Sequence, residues 1–305
     1  MRRSARYRRL LPGVPAGSVS LSCLALAVLV ALLAGCGGRP TPAAPAPPAT
    51  PAPPVAPAPP APLPRYATLT ELGAATGAQM TADRTARITV TGGTSGGPVQ
   101  ANTTGDGAIS FDPVGPSMQI TERVQPSGAP AVEELTLVVL PDQVYVKPPA
   151  GAGIPVPPGK SWLRIQPNAT DPISQQFGQL AQSVRANADP TRGFTQFGDA
   201  ATIVSSAEEP LDGVRAVRYQ IRVDVAKAAA QETDPALKQQ LQQTAQNMGT
   251  VDSALWLDER NRPLRVLLQQ PLGAGQGTYT VDARYRDWGQ PVQITPPPAD
   301  QIAPS

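Results

Sequence analysis

The chain has 305 residues, length for one or two domains, with 38 prolines, two cysteines and no histidine. Its formal charge of +2 is misleading: Arg2, Arg3, Arg6, Arg8 and Arg9 precede Cys36 with no acidic residue among them, so beyond that point 20 basic side chains (25 less 5) face 23 acidic ones, a net of −3. A slightly acidic chain has no electrostatic reason to seek phosphate backbones, so nucleic acid is excluded as an expected partner, and without histidine the usual catalytic base and commonest metal ligand are missing.

The five arginines are followed by an apolar run from Leu21 to Leu33, which then reads Leu33-Ala34-Gly35-Cys36. The run falls short of the roughly 20 residues of a membrane span and ends in small residues, as a cleavable signal does. Leu-Ala-Gly-Cys resembles the lipobox of bacterial lipoproteins, whose cysteine receives a diacylglycerol group before cleavage leaves it as the first residue. The resemblance implies a signal peptide over 1–35, lipidation at Cys36, and an extracytoplasmic chain held to the cell membrane by its acyl groups. Tyr7-Arg8-Arg9-Leu10-Leu11 is only faintly like a twin-arginine signal, so the general secretory route is expected. Cys23 leaves with the signal and Cys36 is acylated, so the domain must be held by its core rather than by disulfides.

Residues 36–64 read as a stalk. From Pro40 to Pro64, 13 of 25 residues are proline, and such a segment favours polyproline II, extending about 3.1 Å per residue. A folded domain over 65–305 follows. Thr68-x-x-Glu71 is a capping box opening a short helix that ends near Met80. Period-2 stretches come next: Ala86, Ile88 and Val90; Ile109 and Phe111; Met118 and Ile120. Gly92-Gly93, Gly96-Gly97-Pro98, Gly105-Asp106-Gly107 and Pro126-Ser127-Gly128 read as the turns between them. Leu135 to Leu140, with Leu137 at its centre, is apolar on both faces and reads as a strand covered on both sides. Asp171-Pro172 opens a helix carrying Phe177, Leu180 and Val184. Asp234-Pro235 opens another with Leu237, Leu241 and Ala245, closed by Gly249. In Val217–Val225 every odd residue is apolar, Tyr219, Ile221 and Val223 among them. Leu255 and Leu257, then Leu264, Val266 and Leu268, then Tyr279, Val281 and Ala283 repeat the alternation. The fold class is α+β: an antiparallel meander with helices inserted, one sheet face open to water and the other covered by the helices.

Gly93-Thr94-Ser95-Gly96-Gly97 fits the G-x-S-x-G of a hydrolase elbow, but it lies between strands and has no histidine to serve it, so it reads as a hairpin. Glu133-Glu134 and Glu208-Glu209 are adjacent pairs that point apart on a strand or sit in a turn, which offers no metal site. No catalytic residue, metal or cofactor is expected. Trp162, Trp256 and Trp288 read as core or rim residues.

Four segments, taken in order, resemble the LppX/LprAFG family of actinobacterial lipoproteins: Val144–Lys147 with Pro158–Ile165; Leu211–Tyr219 leading to Val223–Val225; Leu255–Val266; and Tyr285–Val292. The resemblance implies a strongly curved antiparallel sheet, a half-barrel, with helices on its concave face and acyl chains of lipids or glycolipids held between. On that reading the lining is drawn from Ile109, Phe111, Leu135, Leu137, Phe177, Leu180, Tyr219, Ile221, Val223, Leu241 and Val281. The alternative is a non-enzymatic interaction or sensor module with a filled core. An open apolar space separates the two.

Overall fold

The computed structural model describes residues 61–97, 101–112, 115–126, 133–150, 154–165, 198–233, 235–247, 249–272 and 277–304. Cys36 and the expected Asp171 helix, with Phe177 and Leu180, lie outside them. Helix α1 spans Leu69–Asp83 and opens on the expected capping box: Glu71 N donates to Thr68 Oγ1 at 3.2 Å, and Thr68 N donates back to Glu71 Oε2 at 3.2 Å. It runs three residues past Met80 because nothing in Thr81-Ala82-Asp83 breaks it. It stops where Arg84 turns left-handed (φ 67°).

Among the described residues, eleven strands then form one antiparallel sheet. They are β1 (Thr85–Ser95), β2 (Ala101–Asp112), β3 (Gly115–Pro126), β4 (Glu133–Val139), β5 (Val144–Lys147), β6 (Leu163–Ile165), β7 (Ala201–Glu208), β8 (Ala216–Asp224), β9 (Thr250–Asp258), β10 (Pro263–Pro271) and β11 (Thr278–Arg286). Their order is β6-β5-β4-β3-β2-β1-β11-β10-β9-β8-β7. The chain thus enters at the sheet's centre and meanders out to β6. It resumes at β7 on the opposite edge and meanders back until β11 pairs with β1. Among the described residues the sheet is not closed, since β6 and β7 lie at its two edges and do not pair.

Two of the expected turns are strand interior instead. Gly92-Gly93 lies within β1 and Gly105-Asp106-Gly107 within β2. The glycines are there for room, not for bending. A Cβ at Gly107 would lie 2.4 Å from the Gln119 carbonyl oxygen, and one at Gly105 would lie 3.2 Å from Glu122 Cγ. Gly96 (φ 74°) does turn the chain at the end of β1, so the Ser95 segment is a hairpin end, as expected.

A helix that the alternation did not announce follows β8. Asp224 leaves the strand and accepts from Lys227 N at 2.9 Å, capping α2 (Val225–Gln231), so Val225 is a helical residue and not the last of a strand. Helix α3 (Pro235–Asn247) then lies against α2. Leu241 on α3 is half-buried and is not among the residues of the core cluster.

Beyond β11 the tail returns along the sheet. Thr85 Oγ1 donates to Gln290 O at 2.7 Å, and Ile302 bridges Trp162, with Ala303 N donating to Trp162 O at 2.8 Å. It ties the sheet's centre to its β6 edge.

Candidate functional site

The alternation along each strand puts one set of side chains on a single face, called here the interior face. Perpendicular to the strands they form rows fixed by register. One row reads Tyr219, Leu255, Val266, Ala283, Val90, Gly105, Glu122 and Leu135. The next toward the β1–β2 hairpin includes Val281, Gly92, Thr103, Val124 and Glu133. Of the proposed lining, Ile109, Phe111, Leu135, Leu137, Tyr219, Ile221 and Val281 are buried in one continuous core cluster, and the half-buried Val223 packs against it. Leu69, Leu72 and Met80 of α1 belong to the same cluster, so this helix lies on the interior face, touching β2 and β7.

Polar groups hold the entry of the chain onto this face. Tyr66 N donates to the Tyr219 hydroxyl at 3.2 Å, and that hydroxyl donates to Pro64 O at 3.4 Å. Tyr66 OH donates to Asn261 Oδ1 at 2.8 Å. Burial pushes both phenols up from their ordinary value, with the Asn261 contact opposing the shift at Tyr66. Contacts with the domain begin before Arg65: Arg215 donates to Ala61 O, Leu63 N donates to Glu208 Oε1, and Leu63 is itself buried. Near the same β9–β10 turn Phe111, Trp288 and Tyr285 stack in sequence, with centroids 6.1 and 5.8 Å apart, and Trp288 Nε1 donates to Pro263 O.

The outer face is built differently. Trp256 sits between Arg218 and Arg265, whose guanidinium carbons lie 5.3 and 4.9 Å from its ring, and its Nε1 donates to Glu209. Arg265 is held by Asp282 through two hydrogen bonds of 2.9 and 2.8 Å. This charged ladder keeps the outer face polar while burying a tryptophan. Trp256 and Trp288 are packed residues, as the sequence suggests. The acidic pairs also part as expected: Glu134 pairs outward with Arg123 at 3.2 Å, while Glu133 faces the interior side, half-buried.

Glu122 breaks the pattern. It follows Met118 and Ile120 at the same period, between Gly105 and Leu135, and is 1% exposed. Among the described residues neither carboxylate oxygen has a hydrogen-bond partner. Burial pushes its pKa up to about 7. Ion formation in such surroundings is costly, so the carboxyl stays protonated where a surface glutamate is charged. The sequence reading passed over this residue. The signal was present as a lone acid continuing an apolar alternation.

A cleft of about 450 Å³ lies between α2 and α3 and is lined by Ala226, Ala229, Ala230, Gln242, Ala245 and Gln246. It is not between helix and sheet.

No protein-family model matches the chain. No curated protein matches it either. Among solved structures, a DUF1329 family protein from Desulfovibrio piger is similar at 10% identity, covering 72% of this chain and 90% of that one, with a TM-score of 0.26. A likeness that low carries no argument about function.

Proposed function

We propose that this chain is an envelope lipoprotein of the LppX/LprAFG type, anchored at the outer face of the cell membrane through lipidated Cys36, which holds lipid or glycolipid acyl chains against its interior face without catalysing a reaction. The observation that carries the reading is the largely apolar interior face, interrupted at Glu122, which runs across both meanders of an open sheet. The position of α1 supports a sheet curved into a half-barrel around it. A flat sheet separates strands six places apart, such as β2 and β7, by about 29 Å, whereas a helix of 15 residues is only about 22 Å long. Curvature lets one helix touch both.

Acyl chains need no polar recognition. Each CH₂ moved from water to apolar surroundings contributes about 0.8 kcal/mol, so a 16-carbon chain gains on the order of 10 kcal/mol before ordering costs. Native mass spectrometry of the chain extracted from its own membranes is therefore expected to show adducts of lipid mass. Val223→Trp, which enlarges a half-buried interior residue at the end of β8, is expected to reduce them while the sheet stays folded. A lipid-free chain that neither binds added phospholipid or glycolipid nor gains thermal stability from them would mean an interaction or sensor module.

The anchor has its own test. Cys36→Ala is expected to leave the precursor uncleaved and to release or mislocalise the protein, and globomycin is expected to make the unsubstituted precursor accumulate. A mature-sized Ala variant in the membrane fraction would show that lipidation is not the tether.

A further inference from the structure

We infer that Glu122 is the selectivity point of the interior face, where its carboxyl takes the single free hydroxyl of a diacylglycerol-like lipid. This rests on the carrier reading and adds a polar contact to it. The carboxyl is buried to 1% exposure, with both oxygens unpartnered among the described residues, an arrangement that costs folding energy and is uncommon among buried polar groups. Its side chain lies beside Gly105, where the missing Cβ makes room for it.

The row and the rows beside it say what chemistry fits. Val90, Ala283 and Leu135 share the row, with Ile120 and Val124 on either side along β3, and none offers a second hydrogen bond. On the same face Thr103 and Glu133 lie half-buried in the next row, where the Tyr279 hydroxyl also comes close to Gly92. Asp106, Arg123 and Glu134 pair with one another on the outer face. One carboxyl in apolar surroundings suits a ligand with one polar group, because every further hydroxyl of a sugar would enter without a partner. A hydroxyl both donates and accepts, so it satisfies Glu122 whether the carboxyl is protonated or ionised.

The test uses the full chain in detergent, titrated with 1,2-dipalmitoylglycerol and, separately, with its 3-acetyl ester, and read by native mass spectrometry. The two probes share their acyl chains and differ in the free hydroxyl. The unsubstituted protein is expected to bind the free alcohol at least about tenfold more tightly. Glu122→Gln, which keeps a donor and an acceptor, is expected to retain part of that preference, and Glu122→Leu to bind both lipids alike. Equal binding by the unsubstituted protein, or a preference that survives Glu122→Leu, overturns the inference while leaving an apolar carrier intact. Failure to bind either lipid overturns the carrier reading and this inference with it.

Discussion

Glu122→Leu is expected to make the lipid-free protein more stable, and by about 3 kcal/mol more at pH 8 than at pH 4. The sign follows from the two states of the carboxyl. In the unfolded chain it titrates near 4.5, and in the fold burial raises that to about 7. Below 4.5 it is protonated in both states and favours neither. Between 4.5 and about 7 the unfolded chain ionises while the folded one does not, so stability falls as pH rises. Above about 7 both are ionised and the loss levels off. An interval of about 2.5 pH units at 1.36 kcal/mol each amounts to about 3 kcal/mol.

Other acids work in the opposite direction. The backbone amide of Thr68 holds Glu71 low, that of Leu63 holds Glu208 low, and the Arg222 guanidinium holds Asp252 low. Each adds stability above its ordinary pKa and loses it as pH falls through the lowered one. Those contributions are common to both proteins, so the difference between denaturation curves at pH 4 and pH 8 isolates Glu122. A constant difference across that range would mean that the carboxyl is solvated or paired in the fold. A leucine that raises stability while erasing lipid selectivity would mark a residue retained for function at a cost in stability.

Much of the sheet was legible because period-2 alternation is a local signal. Val217–Val223, Leu255–Leu257 and Tyr279–Ala283 each present one face, and that face is the buried one. The capping box was equally local. What was not legible depends on neighbours distant in sequence. Gly105 and Gly107 look like turn residues until β3 is seen to approach them closely. Asp224 continues an alternating strand in sequence, yet its carboxylate caps α2. The Ala-rich α2 has too few large apolar residues to announce itself by periodicity. Of the proposed lining, the strand residues gathered on one face because their register follows from alternation. The two from the Asp171 helix lie outside the described residues. Glu122 went unread because the reading followed the apolar positions Met118 and Ile120 and stopped there.

Gly107→Ala is expected to cost about 3–5 kcal/mol, far more than adding a methyl group normally does. The added Cβ would lie 2.4 Å from the Gln119 carbonyl oxygen and 3.0 Å from Ile120 Cα. Both are backbone atoms of β3, which cannot rotate aside as a side-chain tip can, so β2 and β3 must separate and weaken the ladder between them. Two other glycines calibrate the effect in the same denaturant titration. Gly105→Ala meets only Glu122 Cγ at 3.2 Å and Ile120 Cδ1 at 3.4 Å before any backbone atom, so a smaller loss is expected. Gly249→Ala has nothing within 4 Å and is expected to be neutral or stabilising by up to about 1 kcal/mol, through the unfolded chain. The contact also positions the interior face. Ile120, opposite Gly107, is two residues from Glu122 on the same strand, so displacing β3 opens the carboxyl to water and lowers its pKa toward 4.5. The loss of stability between pH 4 and pH 8 is then expected to be smaller in Gly107→Ala than in the unsubstituted protein. A variant that unfolds at the same denaturant concentration as the unsubstituted chain would show that β2 and β3 are not so closely apposed, and that the burial of Glu122 does not depend on that approach.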